Sequence, residues 1–358
     1  SDAALATAID NLQAHQPARI GIDLLREQPM GEGADDLAAS LKDPNVAVIT
    51  RLSDADSDNI ILPPSNVMFE QLTFSNLVVD PDFRVRRSLM VDYLDEAIAQ
   101  HVVESSLSGN SSTADLLERP VFAFGAELAI RYLEQYENVS PEAGDILQIG
   151  DTRFEPLTQS FGGYQAADDA GYQIFFRYRS PKDVAERLNF SDVLDNNFNP
   201  AQIKDKIILI GSTAQNSRDV FLTPYNTSGN FQQMHGVEVH AQVASQILSA
   251  VIDGETLPWS WPDWAEFAWI VVLTGIGSGL MVVTQKGPLL IVFGVSGLVL
   301  TVVVGVIGFQ LGGWVPVAAP MNAFFWAAAG TRISKSYQRR HWEANIDRDS
   351  QLLNALSS

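Results

Sequence analysis

The sequence predicts an α/β extracytoplasmic domain with a mixed sheet, then a three-helix transmembrane bundle and a short cytoplasmic helix. Three observations lead there. Apolar runs of strand length alternate with helix-period segments over residues 1–258. Three long apolar stretches follow Trp264. Charge is divided sharply: the first 262 residues hold 38 acids against 17 bases, a net of −21, while the remainder nets +1, for −20 overall. All seven tryptophans stand at position 259 or later. Water is the implied solvent of the first part and lipid that of the second.

In chain order, residues 2–16 read as a helix, with Leu5, Ala8, Ile9 and Leu12 on one face behind an acidic start. Strands are expected at 19–25, 46–52, 146–149, 174–179 and 206–211, and helices at 34–41, 120–134 and 240–252. The run IILIG, apolar on both faces, has the pattern of a central strand in a helix-covered sheet.

Spans are expected at 264–284, 287–309 and 311–331, since a bilayer core of about 30 Å needs roughly 20 apolar residues in a helix. The third is interrupted by Pro316 and Pro320. Lys286 lies between the first two, and Arg332, Lys335, Arg339 and Arg340 follow the third. The positive-inside rule then puts the acidic domain outside and the 334–358 tail in the cytoplasm, with Trp259, Trp261, Trp264 and Trp314 as an aromatic belt at the outer interface. The expected location is the cell's inner (plasma) membrane, multi-pass. An outside domain requires a signal peptide or a first transmembrane span upstream, so a processed or truncated chain is expected. Gly275, Gly277, Gly279, Gly294, Gly297, Gly305 and Gly308 offer close helix approach. No charged residue lies mid-span, which argues against an ion path and for anchoring.

A domain at −21 repels phosphate backbones, so nucleic acid is not an expected partner. The absence of cysteine removes disulfides, thiolate metal sites and thiol catalysis. Asp54, Asp56 and Asp58 alternate as in a calcium loop, but Asn59 and Ser65 stand where that loop needs Gly and Glu, so a solvated acidic loop is the expectation. His235, Glu238 and His240 form H-x-x-E-x-H, whose histidines differ in parity; no metal or cofactor is expected. No phosphate-binding glycine loop, nucleophile elbow or H-E-x-x-H occurs, and no catalytic constellation is present, so the chain is read as a non-enzyme.

The better candidate is a loop. Ser212 and Thr213 follow IILIG, then Arg218, Asp219 and Thr223, at the carboxyl end of a strand where α/β sheets bind ligands. Asp23 ends another apolar strand and shares that edge if the two strands are parallel neighbours. The competing reading is that Asp219 and Thr223 merely pin the loop. Arg86 and Arg87, after DPDF, face the same choice between an anion and structural pairing, and His240 completes the candidate ligand contacts.

The segments IGIDLLREQP (20–29), FSNLVVDPDFRVRR (74–87), FFRYR (175–179), KIILIGSTAQNSRDVFLTP (206–224) and MHGVEVHAQVASQIL (234–248) together resemble the type-two CHASE domain, the cyclases/histidine kinases associated sensory extracellular domain. The resemblance covers nearly the whole outer part and continues into the three following spans. It implies a sensory domain at 1–258, an anchor at 259–333, and a cytoplasmic cyclase or kinase output in a longer parent. It supplies no binding residues of its own, and Phe83 departs from the expected DPDG, which puts a glycine-dependent turn in doubt. The expected partners are the lipid bilayer, an unknown extracytoplasmic ligand, and a second copy or a membrane-complex partner. A structural or assembly subunit of a larger membrane complex is the alternative. An extracytoplasmic hydrolase lacks a nucleophile–base set.

Overall fold

The computed structural model describes residues 1–54, 58–105, 111–142, 144–181, 184–214, 219–226, 233–284 and 287–357. The chain divides into two compact units, Ser1–Leu157 with Asp169–Leu257, and Thr158–Asp168 with Pro258–Ser358.

Unit one begins α1 (Asp2–Gln13), β1 (Arg19–Asp23), α2 (Ala34–Ser40), β2 (Val46–Thr50), β3 (Leu72–Phe74), β4 (Val78–Val79) and β5 (Val85–Tyr93). It continues α3 (Glu96–Ser105), α4 (Thr113–Leu117), β6 (Pro120–Phe122), α5 (Phe124–Tyr132), β7 (Pro141–Glu142), β8 (Leu147–Ile149) and β9 (Thr152–Phe154). It closes with β10 (Tyr172–Phe175), α6 (Phe190–Leu194), β11 (Ile207–Gly211), β12 (Val220–Phe221), β13 (Met234–His235) and α7 (Gly236–Ile252).

Parallel and antiparallel pairings occupy separate sheets rather than one mixed sheet. The central sheet runs β11-β1-β2-β3, and its pairings are parallel. Alternation along the strands sends Ile20, Ile22, Val46 and Val48 into the large core with Leu5, Ile9 and Leu12 of α1. The opposite face puts Ala47 and Ile49 against Phe124 and Leu128 of α5. Gly21 lets α5 approach, since a Cβ there would lie 2.6 Å from Leu128. Burial of each such Leu or Phe is worth about 1.5–3 kcal/mol.

The expectation of a central IILIG strand is corrected: β11 is an edge strand, and all five of its residues are partly exposed. Its apolar pattern reflects cover on its faces, Ile207 and Leu209 packing with the α5 cluster and Gly211 against Val237 of α7. The expected helix at 120–134 is also corrected. Pro120 opens β6, pairing with Tyr93, and the helix starts only at Phe124. The helix expected at His240 starts earlier, at Gly236.

The second sheet runs β10-β5-β4, with β6 also on β5, all antiparallel. β5, nine residues long, was not foreseen, because two arginines and a serine interrupt its apolar pattern. It is entered through the turn Asp80–Phe83, where the Phe83 N–H donates to Asp80 O at 2.8 Å. The turn forms without glycine. Phe83 adopts φ +63° and is 74% exposed. A non-glycine residue there carries a left-handed cost of about 1–2 kcal/mol. Phe83→Gly is therefore expected to stabilise unit one by about 1 kcal/mol, read as a higher denaturant midpoint at unchanged slope.

Unit two holds β14 (Trp259–Ser260), α8 (Asp263–Val283), α9 (Gly287–Gln310), β15 (Gly313–Trp314) and α10 (Ala318–Ser357). Among the described residues, two helical stretches are long and apolar enough to cross a membrane, Asp263–Val283 and Ile291–Gln310. The third expected span is revised. Residues 311–317 hold β15, paired in parallel with β14, and the helix begins only at Ala318. Its apolar part, 318–331, rises about 21 Å at 1.5 Å per residue, short of a 30 Å core. The same helix then runs unbroken through the basic residues to Ser357. Four of the singled-out glycines meet neighbours: Gly277 and Gly297 face Phe324, while Gly305 meets Val317 and Gly308 meets Val315. Gly275, Gly279 and Gly294 have nothing within 4 Å.

Candidate functional site

β1 and β11 are in register, with Asp23 opposite Gly211, so both strands end at one level and bring Asp23 beside Ser212 and Thr213. This is the parallel neighbourhood that the shared-edge reading needs. Asp23 is only 9% exposed, and its Oδ2 has no hydrogen-bond partner among the described residues. Burial first, and the charge of Asp219 second, push its carboxyl up to about 7. Ser212 is half-buried and Thr213 exposed. Arg218 lies outside the described residues, as does Asp56 of the acidic loop.

Asp219 is held at the start of α7. Its carboxylate rests against Gly236, where any Cβ would collide with Oδ2. Its backbone oxygen accepts from the Gly236 N–H at 3.2 Å. Desolvation raises the Asp219 carboxyl, opposed by the Gly236 N–H and by His235. His235 is the N-cap residue, and its N–H donates to Glu238 Oε2 at 2.9 Å, with Arg187 paired to Glu238 at 2.5 Å. The edge thus gathers two carboxyls with raised pKa and a hydroxyl-bearing strand end. Such a site can hold a proton near neutral pH, or accept hydrogen bonds from a donor-rich or cationic ligand.

The other candidates are engaged elsewhere. Thr223 is fully buried in its own turn: its N–H donates to Asn226 Oδ1 at 2.7 Å and its Oγ1 accepts from the Tyr225 N–H at 3.3 Å. Leu222 O accepts from the Val85 N–H at 3.0 Å, which places this turn beside the start of β5. Arg86 donates to Asp80 Oδ2 and Asp82 Oδ1, both at 2.8 Å, and to Asp82 Oδ2 at 2.6 Å. Arg87 donates through Nε to Asp80 Oδ1 and through a terminal nitrogen to Gln173 Oε1, each at 2.8 Å. Both guanidinium groups are committed to carboxylates of this chain, which is the structural-pairing alternative. His240 is buried in the second turn of α7, edge-on to Phe124 at 5.3 Å, and burial pulls its imidazole down to about 4. It faces the core, and it and His235 lie on the same helix start without converging on a third ligand: among the described residues no group of three or more His, Cys, Asp or Glu could hold a metal.

Sequence reasoning missed Gly236, which lets Asp219 sit at the helix start, and Asp80, which holds both arginines. The alternation of acids and bases in DPDFRVRR carried a signal for the second.

The family model for the CHASE2 domain matches residues 1–279. No curated protein and no solved structure matches the chain. With more than three-quarters of its length matched, the chain belongs to the CHASE2 family of sensory extracellular domains.

Proposed function

We propose that the chain is the sensory and anchoring part of a membrane receptor. On this reading residues 1–258 face the outside and bind a ligand or partner. The two apolar helices and the first part of α10 form a three-helix membrane anchor, the short third span being accommodated by local bilayer thinning and by snorkelling of Arg332 and Lys335. The rest of α10 passes the response to a cyclase or kinase in a longer parent. The observation that carries the reading is the buried Asp23 carboxyl beside Asp219, its Oδ2 without a hydrogen-bond partner among the described residues, at the carboxyl-end edge of a parallel sheet, where such sheets bind ligands, in a sensory family. The cytoplasmic assignment of the tail rests on its basic residues; Lys335 Nζ donates to Val282 O at 2.8 Å at the end of α8. A stimulus acts here only through its differential affinity for two states. A second copy is the partner expected of such outputs.

The test is a fusion of a reporter cyclase after Ser358, assayed in intact cells across external pH 5–8 and a metabolite panel. Output is expected to change several-fold in the parent chain and to stay flat in Asp23→Asn. A silent reporter under every condition, with unrelated subunits co-purifying in fixed ratio, overturns the reading in favour of an assembly subunit.

A further inference from the structure

The chain passes between its two units three times, at 157/158, 168/169 and 257/258. Two of these crossings bound an eleven-residue insertion, Thr158–Asp168, that leaves the β9–β10 region and folds with the helices of unit two. Within unit two the insertion is docked tightly. Gly162, at φ +58°, and Gly163 lie flat against the Trp314 indole, where a Cβ on either would come within 2.5 Å of the ring. Tyr164 packs on the same indole with ring centroids 5.9 Å apart. Ser160 Oγ donates to Asp263 Oδ1 at 2.8 Å, at the first residue of α8. The Ala167 N–H donates to Gln159 O at 3.1 Å, which closes the insertion into a loop.

Trp314 stands in the connection between α9 and α10, and that connection is itself braced. Gly313 packs against the Trp259 ring, and Trp259 Nε1 donates to Leu311 O at 3.0 Å. One loop therefore touches the start of α8 and the α9–α10 connection together.

The root of the loop is equally fixed within unit one. The Leu157 N–H donates to Gln173 O at 2.7 Å, and Gln173 Nε2 donates to Ala170 O at 2.7 Å. Gln173 Oε1 accepts from Arg87, which Asp80 holds. Leu157, Gln173, Arg87 and Asp80 are all buried. A rigid root, a short loop and a rigid dock make a mechanical linkage.

We propose that Thr158–Asp168 is a coupling strap, which delivers movements of the Leu157–Gln173 root to the helix connection at Trp314. It deepens the receptor reading by naming the route of the response, and it rests on that reading only for what the response is used for.

Hydrogen exchange on the full chain in lipid nanodiscs tests it without any output. Gly163→Val, which drives a side chain into Trp314, is expected to raise exchange at 311–317 about tenfold and to leave β1 and β2 at parent rates. Gln173→Leu, which alters only the root, is expected to raise exchange at 311–317 several-fold as well. Because the chain lacks cysteine, Ser160→Cys with Asp263→Cys can be oxidised to a single disulfide, and this lock is expected to restore protection in the Gln173→Leu background. If Gln173→Leu fails to fold, two glycines inserted after Leu157 slacken the root instead, with the same expected rise. Root variants that leave 311–317 at parent rates overturn the strap, whatever the reporter fusion does. A strap that passes with a silent reporter overturns only the receptor reading.

Discussion

Asp23→Asn is expected to make unit one more stable than the parent at pH 8, by up to about 4 kcal/mol, and to leave it nearly unchanged at pH 4. The direction follows from which state holds the proton. In the unfolded chain the Asp23 carboxyl ionises near 3.8, whereas in the folded chain it keeps its proton to about 7. Between those values the unfolded state releases a proton that the folded state retains, so stability falls by about 1.4 kcal/mol for each pH unit. Above pH 7 the penalty is constant, because a buried carboxylate then faces Asp219 with no hydrogen bond on Oδ2 among the described residues. Asn carries no charge to bury. The measurement is the melting of unit one in the full chain at pH 4, 6 and 8, parent against variant. A difference that is flat with pH, or largest at pH 4, would sink the assignment. The same comparison with Asp219→Asn should narrow the window, since the Asp219 charge is the second cause of the Asp23 shift.

Asp80→Ala should be among the most damaging single changes in unit one, costing about 3–5 kcal/mol. Asp80 and Arg87 are both almost fully buried, and Asp80 accepts from Arg87 on one oxygen and from Arg86 on the other. Removing the carboxylate takes from the buried Arg87 guanidinium its 2.8 Å carboxylate partner on Nε, while Gln173 Oε1 stays on a terminal nitrogen. The double variant Asp80→Ala with Arg87→Met should recover a large part of the loss, because removing both partners is far less costly than stranding one. Denaturant unfolding of the four members of the cycle gives the coupling directly. A double variant no better than Asp80→Ala would contradict the account. The surface pair between Arg177 and Glu255, at 3.2 Å and half exposed on both sides, is the contrasting control, worth at most about 1 kcal/mol.

Much of this architecture was legible in the residues, and the exceptions share a physical cause. Strand and helix periods located β1, β2, β11 and α1, because both faces of the parallel sheet are covered and most of its inward residues are apolar. The pattern of a strand reports what covers its faces and is silent about its edges, so IILIG read as central when β11 lies at the border. β5 was hidden because its burial is partly ionic: Arg87 goes inside with Asp80, a pairing that no hydrophobic pattern encodes. The third span follows from hydropathy with Pro316 and Pro320 as interruptions, and the pairing of Gly313–Trp314 with Trp259–Ser260 delays the helix to Ala318. The common end of β1 and β11, with Asp23 opposite Gly211, was legible from the two apolar runs that stop there. The commitment of Arg86, Arg87 and Thr223 to their own neighbours is one of two readings their sequence allows, since the choice between pairing within the chain and binding a ligand depends on distances that sequence does not contain.

The forty unbroken residues of α10 have one more consequence. A helix of that length, roughly 60 Å, behaves as a shaft: it carries azimuth as well as position, and a turn applied near Phe324, where Gly277 and Gly297 grip it, arrives at Leu353 almost undiminished. Each residue inserted or deleted along the shaft rotates everything beyond it by about 100°, and seven bring the original face nearly back. The bearing of Trp342, Ile346 and Leu353, all exposed, is thus set by the phase of a single screw that starts beside Pro320.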